Sequence, residues 1–382
     1  MTQNSLGKAV GDPDSLPSRA EPGHRGYHAH RFPRRVHDVS RSDPLDYPFG
    51  EVPAPTTPTR VAPGVSWVRM PLPFALDHIN LWMLDDGDDM VLVDTGFGTD
   101  ETRAHWRRIL EADGRRISGV VVTHFHPDHL GLAAWIAARD DATVYMTEAE
   151  YLEALALWHQ LPGHCVADMV AFFRSHGLPE PRLAALEARG NTYRRGVPEL
   201  PRTHRRIFHG DRLTIGGRHW RVVVGHGHAP EHASLYCAED GILISGDMLL
   251  PRISTNVSVQ AAAPLDDALG CFLLSLQRII DLPGNTLVLP SHGKPFRGIR
   301  ARIEQLEAHH AERCSAVLQA LDRPMSAGEL LPVLFPRELD NHQVMFAMGE
   351  AVAHLNHLAQ RGLVERVSGD DGTVRFARRH RN

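Results

Sequence analysis

The sequence is poor in several features that would assign it to common classes of protein. No run of about 18 apolar residues is present among its 382 residues, which excludes a membrane-spanning helix. The N-terminus lacks the apolar segment of a secretory signal. The four cysteines form no Cys-x-x-Cys pair, which argues against a disulfide framework or a cysteine zinc finger. We therefore expect a cytoplasmic protein that does not associate with membranes.

Lysine is nearly absent, whereas histidine is abundant. Lys8 and Lys294 are the two lysines, against 25 histidines. The net charge of −5 gives no overall positive field for nucleic acid or an anionic membrane. A hydrophobic content of 42% is ordinary for globular proteins, and the length predicts one large domain with an appendage. The excess of histidine points to metal binding.

The pattern of residues divides the chain into three regions. Residues 1–60 hold nine of the 27 prolines and show no apolar periodicity, which predicts a disordered or irregular arm. In residues 61–304 strands and helices alternate, with a helix over about Asp100–Asp113, and this region is the predicted catalytic domain. Within it, residues 148–204 are helical and polar, and we expect this insertion to roof a cleft.

Residues 305–382 show the element order of a winged-helix domain. Three helical segments precede two short strands joined by the turn Ser-Gly-Asp-Asp-Gly-Thr. From Ala308 onward nine arginines stand against nine acidic residues, and the expected recognition helix carries one arginine and one glutamate. Because a nucleic-acid-binding domain usually has a basic excess, we interpret this domain as a packing or cleft-shaping module.

The histidines cluster in the segment Thr-His-Phe-His-Pro-Asp-His-Leu-Gly at 123–131. His124 and His126 alternate along extended chain directly after an apolar strand, so both rings leave on one side. Pro127 then begins a turn that brings Asp128 and His129 over the same point. Imidazole and carboxylate ligands suit Zn, Fe or Mn, so the segment predicts a metal site.

Further candidate ligands follow three later strands. His226, His228 and His232 come after Arg-Val-Val-Val-Gly, while Asp247 and His292 follow two other apolar runs. Strand ends of layered proteins gather functional groups, so these residues and the first segment together predict a two-metal site. Two cations lower the pKa of a bound water and polarise a carbonyl or phosphoryl oxygen, which indicates metal-assisted hydrolysis.

In this order the motifs resemble those of the metallo-β-lactamase superfamily over about Val61–Pro295. The motifs are Asp-Thr-Gly at 94–96, the 123–131 segment, Gly-His-Ala-Pro-Glu-His at 227–232, Ser-Gly-Asp at 245–247 and Ser-His-Gly at 291–293. The resemblance implies a four-layer αββα sandwich of the α+β class. It also implies two divalent metal ions, with zinc favoured and iron or manganese as alternatives.

Carried over motif by motif, the resemblance implies a role for each of these residues. The implied ligands are His124, His126 and His228 for the first metal, Asp128, His129 and His292 for the second, and Asp247 as the bridge. Asp94 resembles a buried aspartate that orients the metal loop without binding metal. Asp128 is the candidate catalytic residue, because it can orient the water and pass its proton to the leaving group.

The oxygen ligand Asp247 differs from the cysteine that true zinc β-lactamases place in the metal site, which disfavours β-lactam hydrolysis. The remaining ligand set is similar to that of hydroxyacylglutathione hydrolases and other thioesterases. We therefore favour a small anionic thioester of the acyl-CoA or acyl-glutathione type, with Lys294 as a candidate anion-binding residue. The alternatives are a metal-dependent endoribonuclease or phosphodiesterase, a lactonase, and a mononuclear iron persulfide dioxygenase.

Overall fold

The computed structural model describes residues 44–379, so the expectation for residues 1–43 of the arm lies outside the described residues. Between residues 44 and 58 the described chain has no helix or strand apart from an isolated bridge of Asp46 with Arg297. Leu45 is buried in this segment. Regular structure starts at Thr59, close to the predicted position.

Seven strands form the first sheet, and their spatial order is the order of the chain. They are Thr59–Ala62 (β1), Val65–Pro71 (β2), His78–Asp86 (β3), Asp89–Val93 (β4), Arg116–Val121 (β5), Thr143–Met146 (β6) and Arg205–Arg206 (β7). Strands β1 to β4 pair antiparallel, whereas β4 to β7 pair parallel. The carboxyl ends of β4, β5 and β6 therefore share one edge of the sheet.

Five strands form the second sheet, in the order β12-β11-β10-β9-β8. They are Arg212–Ile215 (β8), Arg218–Gly225 (β9), His232–Cys237 (β10), Ile242–Gly246 (β11) and Leu287–Pro290 (β12). The pairing is antiparallel except between β11 and β12. Strands β9, β11 and β12 therefore run in the same direction and end at the same edge.

The helices include those predicted from the sequence. They are Asp100–Asp113 (α1), Pro127–Leu130 (α2), Ala133–Asp140 (α3), Glu148–His159 (α4), Val166–Ser175 (α5), Glu180–Arg189 (α6), Tyr193–Gly196 (α7), Ala268–Leu276 (α8), Ile299–Ala320 (α9), Ala327–Leu334 (α10) and Asn341–Gln360 (α11). No helix within residues 44–379 is long and apolar enough to cross a membrane.

Alternating apolar residues of the strands build the layers. Trp67 and Trp82 of the first sheet stack at 6.1 Å and belong to the same buried cluster as Trp220 of the second sheet. The outer face of the first sheet is covered by α1 through Trp106, and α8 covers the second sheet through Phe272. The chain therefore forms the predicted αββα sandwich.

The C-terminal region has the predicted order of three helices and two strands. The strands are Val364–Ser368 (β13) and Val374–Arg378 (β14), which pair antiparallel. Helix α11 is buried at every position from Met348 to Leu358, and it packs against α6, α8, α9 and α10. The assignment of this region to the winged-helix class, and the exact domain boundaries, stay predictions.

Candidate metal centre

The predicted metal-binding segments meet at one edge of the sandwich. Strand β5 of the first sheet leads into Thr123, whose carbonyl accepts a hydrogen bond from the N–H of Ala233 in the second sheet at 2.8 Å. Strands β9, β11 and β12 end at the same edge and lead into the segments that carry His228, Asp247 and His292. Parallel strand direction thus brings together residues that are more than 100 positions apart in the sequence.

Four of the predicted ligands form a first group, in which the potential ligand atoms all lie within 4.8 Å of one another. They are His124, His126, His228 and Asp247. The Nε2 atom of His124 lies 2.9 Å from Nδ1 of His126 and 3.2 Å from Nε2 of His228. The Nε2 atom of His228 lies 3.4 Å from Oδ2 of Asp247. Three ring nitrogens and one carboxylate oxygen therefore converge.

Asp128, His129 and His292 form a second group with the same close spacing. The Oδ2 atom of Asp128 lies 3.4 Å from Nε2 of His292 and 3.7 Å from Nε2 of His129. The Oδ1 atom of Asp247 lies 3.5 Å from Nε2 of His292 and 3.6 Å from Nε2 of His129. Because its other oxygen faces His228, the Asp247 carboxylate stands between the two groups, where a bridging ligand is expected.

Hydrogen bonds on the far side of the rings orient three of the imidazoles. The Nδ1–H group donates from His129 to Oδ2 of Asp94 at 2.7 Å, from His228 to the carbonyl of Asn256 at 2.7 Å, and from His292 to the carbonyl of His78 at 2.8 Å. Each of these bonds leaves the Nε2 atom directed into the centre, and such partners also increase the basicity of a ligand.

Asp94 holds the metal-binding segment but belongs to neither group. Its carboxylate accepts hydrogen bonds from the backbone N–H and the hydroxyl of Thr123, both at 2.8 Å, in addition to the bond from His129. Asp94 is 1% exposed, and its backbone has a φ of 61°, in the left-handed region. The orienting role that the resemblance implies for Asp94 stays a prediction, and these contacts are the ones it would use.

The electrostatics separate neutral from charged groups. Burial lowers the pKa of His126 to about 3, and it lowers the pKa of His124 well below its usual value, so both rings are neutral. Burial acts to raise the pKa of Asp128, but the charges of His129 and His292 outweigh it and lower this pKa to about 2. Burial acts to lower the pKa of His129 and His292 as well, but the charges of the neighbouring carboxylates outweigh it, raising the pKa of His292 to about 10 and that of His129 well above its usual value. The site therefore offers neutral rings at His124 and His126 and an ionised carboxylate at Asp128, whereas His129 and His292 would release a proton on binding a metal ion.

Two buried atoms in the centre have no hydrogen-bond partner among the described residues. They are Oδ1 of Asp247 and Nε2 of His129, which face each other at 3.6 Å. An unpaired buried polar atom is costly, whereas a divalent cation would satisfy the unpaired atoms and the converging ring nitrogens together. The cluster is therefore suited to binding divalent metal ions.

His226 and His232 lie outside both groups. The ring of His226 donates from Nδ1 to the carbonyl of Pro230 at 2.6 Å. His232 is fully buried, and its Nε2 accepts a hydrogen bond from the N–H of Asp247 at 3.1 Å. The structure thus brings His228, rather than either neighbouring histidine, into the cluster.

Two supporting residues were not predicted from the sequence. Glu150 of α4 is fully buried, and its carboxylate accepts hydrogen bonds from the N–H of Phe125 at 2.9 Å and of Glu231 at 2.6 Å. The hydroxyl of Tyr193 donates to the carbonyl of Phe125 at 2.6 Å. Both residues lie in the helical insertion, so this insertion ties together the segments that carry His126 and His228.

Lys294 follows the segment of His292 and is half-buried. Its ammonium group donates a hydrogen bond to the carbonyl of Gly50. This contact uses one of the three N–H donors of the group. An anion-binding role for Lys294 remains a proposal.

The fold and the site together define a metal-dependent hydrolase. The model of the metallo-beta-lactamase superfamily matches residues 75–292, and the model of the metallo-beta-lactamase-like C-terminal domain matches residues 314–379. The chain belongs to the metallo-β-lactamase superfamily.

Three known proteins show the range of similarity. A crystal structure of a beta-lactamase domain protein from Burkholderia ambifaria is 46% identical, with a TM-score of 0.82, and the match covers 88% of this chain and 98% of that chain. The probable metallo-hydrolase YqjP of Bacillus subtilis is 27% identical over 309 residues, covering 76% of this chain and 91% of that protein. A hydroxyacylglutathione hydrolase of Idiomarina loihiensis is 24% identical over 220 residues, covering 57% of this chain and 62% of that protein.

Proposed function

We propose that the protein uses two divalent cations, with zinc favoured, to hydrolyse a small anionic thioester of the acyl-CoA or acyl-glutathione type. The proposed ligands are His124, His126 and His228 for one cation, and Asp128, His129 and His292 for the other, with Asp247 between them. The similarity to a hydroxyacylglutathione hydrolase supports the thioester class. The absence of cysteine from the two groups argues against a β-lactam substrate.

The burial of α11 is the observation that carries the choice between a thioester and nucleic acid. This helix corresponds to the expected recognition helix, yet its residues from Met348 to Leu358 are buried against other helices. It contains no lysine or arginine between Asn341 and Gln360. Binding a nucleic-acid backbone requires cations for several phosphates, and α11 offers no lysine or arginine and, from Met348 to Leu358, no free surface.

Asp128 is the proposed catalytic residue of the reaction. When bound, the two cations would activate water and stabilise the negative charge that develops on the carbonyl oxygen. The side chain of Asp128 is 19% exposed against 10% for Asp247, so it is the more accessible of the two carboxylates. It can accept a proton from the attacking water and deliver it to the leaving sulfur. The water oxygen bonds to the acyl carbon, the C–S bond breaks, and the products are a carboxylic acid and a thiol.

A substrate panel tests this proposal. The metal-loaded protein is assayed side by side on acyl-CoA, lactoylglutathione, a lactone and single-stranded RNA. We expect thioester turnover that Asp128→Ala abolishes, without cleavage of RNA. RNA cleavage that depends steeply on salt and is abolished by Asp128→Ala, together with no thioester turnover, would refute the thioester assignment.

Lys294 provides a separate prediction about substrate binding. Lys294→Ala is expected to raise KM for acyl-CoA by about tenfold and to change kcat by less, because a cation that binds a remote anion acts equally on substrate and transition state. Steady-state kinetics measure both constants. Lys294→Arg is the matched control and should keep KM near the wild-type value. An unchanged KM in Lys294→Ala would exclude this role.

A further inference from the structure

An irregular segment after β11 touches the candidate metal centre at two points. We call residues 255–259 the strap. The hydroxyl of Thr255 donates to the carbonyl of Asp247 at 2.5 Å, and the carbonyl of Asn256 accepts the Nδ1–H of His228 at 2.7 Å. Val257 is fully buried, which anchors the middle of the strap. The position of the strap therefore determines the placement of two proposed ligands.

Helix α11 holds the strap from the other side. The N–H of Val259 donates to the carbonyl of Gly349 at 3.2 Å. The side-chain amide of Asn256 donates to the carboxylate of Glu350 at 3.5 Å. Glu350 is itself 7% exposed and lies 3.8 Å from Nε of Arg313. The strap is thus fixed between the metal centre and the C-terminal region.

The same helix also fixes the chain that follows the strap. The side-chain amide of Asn356 donates to the carbonyl of Pro264 at 3.1 Å and to the carbonyl of Asp266 at 3.0 Å. These contacts lie about two helical turns beyond Gly349 and do not touch the strap. They provide a comparison site on the same helix.

Gly349 permits the close approach of α11 to the strap. A Cβ atom at this position would lie 2.7 Å from both Cβ and Oγ of Ser258, closer than real Cβ contacts. Glycine inside a helix is less favourable than alanine, so a mid-helix glycine indicates a packing requirement. At Gly349 this packing requirement is the close contact with Ser258. Ser258 lies two residues after Asn256, whose carbonyl accepts the hydrogen bond from His228.

We propose that α11 is a positioning element of the metal centre, acting through Gly349 and the strap on His228 and Asp247. The C-terminal region then has a role in forming the metal site itself, in addition to its contribution to the core. This inference rests on the proposed function, because it takes His228 and Asp247 as metal ligands.

A double-mutant cycle between Gly349 and Ser258 tests the inference. The variants are Gly349→Ala, Ser258→Gly and the two combined, and Zn²⁺ affinity is measured by competition with a chelator. We expect Gly349→Ala to lower the affinity for one of the two Zn²⁺ ions by about tenfold or more, because disturbing the hydrogen-bond partners of metal ligands typically has an effect of this size. The combined variant should restore the affinity to within about threefold of Ser258→Gly. The visible absorption spectrum of the Co²⁺-loaded protein should change and recover in parallel.

Two further variants separate positioning from loss of folding. Glu350→Ala removes the hydrogen-bond partner of Asn256 without adding an atom. It is expected to lower the affinity for the same Zn²⁺ ion about fivefold, and this variant keeps the test available even if Gly349→Ala does not fold. Asn356→Ala is the matched control on α11, and it should leave Zn²⁺ affinity within about twofold of wild type. The midpoint temperature of thermal unfolding is measured for each variant together with its Zn²⁺ affinity, so that a loss of folding is recognised.

The outcomes distinguish this inference from the proposed function. If the wild-type protein binds no Zn²⁺, the proposed function fails. If wild type binds two equivalents and neither Gly349→Ala nor Glu350→Ala changes the affinity, the positioning role is refuted. A loss in Gly349→Ala that the combined variant does not repair, or an equal loss in Asn356→Ala, also refutes it.

Discussion

Asp247→Ala is expected to lower kcat by about a thousandfold and to leave at most one tightly bound metal ion per chain. The Asp247 carboxylate faces His228 through one oxygen and His129 and His292 through the other. Its removal takes one ligand from each proposed cation and leaves buried rings without a counter-charge. Elemental analysis after gel filtration measures the metal, and steady-state hydrolysis measures kcat.

A second aspartate provides the control for Asp247. Asp281 is exposed and forms a surface ion pair with Arg300 at 2.6 Å. Asp281→Ala should therefore keep both metal ions and full activity, because surface pairs contribute little. Retention of two metal ions by Asp247→Ala, with kcat within tenfold of wild type, would show that Asp247 does not bridge the site.

His228→Ala is expected to reduce activity by about a thousandfold and to weaken metal binding, whereas His226→Ala should change neither. The ring of His228 lies 3.2 Å from His124 and 3.4 Å from Asp247 in the cluster. The ring of His226 instead donates to the carbonyl of Pro230. Titration of the apo protein with Zn²⁺, together with the hydrolysis assay, compares the two variants.

The pair of variants has an outcome that refutes the ligand assignment. If His226→Ala loses the metal while His228→Ala keeps it, the assignment of His228 as the ligand in this segment is wrong. The two substitutions are matched, since both remove one imidazole from the same short segment.

Local patterns in the sequence were sufficient to predict the regular elements around the site. Helix α1 spans the predicted residues because Thr99 caps its first turn, with a side-chain bond to the N–H of Thr102, and Gly114 ends it with a φ of 77°. The candidate metal-binding segment stands out in the sequence because four of its donor residues lie within six positions. The order of the strands then explains why His228 and His292 lie beside these four residues.

Contacts between distant segments could not be predicted in this way. Asn256 holds His228 through a backbone carbonyl, a group that every residue carries, so no side-chain pattern marks it. Glu150 resembles other acidic residues at the start of a helix, although its carboxylate is buried against two backbone N–H groups. Asn80 had a detectable signal, because it is a polar residue within the apolar strand β3, and its amide donates to the carbonyls of Pro290 and Gly293 near His292.

The sequence predicts α11 as a helix. Its element order is that of a recognition helix, but its balanced charge predicts a packing role rather than nucleic-acid binding. The structure buries Met348–Leu358 almost completely, and this stretch is rich in alanine and apolar residues. A helix that is apolar on most sides is usually buried, so this pattern favours a core role over a binding role.

Metal stoichiometry tests the central claim, a dinuclear hydrolytic site, most directly. The protein is equilibrated with saturating Zn²⁺, and separately with Mn²⁺ and Fe²⁺, and bound metal per chain is determined together with activity. Seven donor residues in two groups, with Asp247 of the first group also facing the second, predict two metal ions per chain, with activity that rises as the second ion binds. Full activity with no more than one metal ion per chain would contradict the dinuclear site and favour a mononuclear iron enzyme.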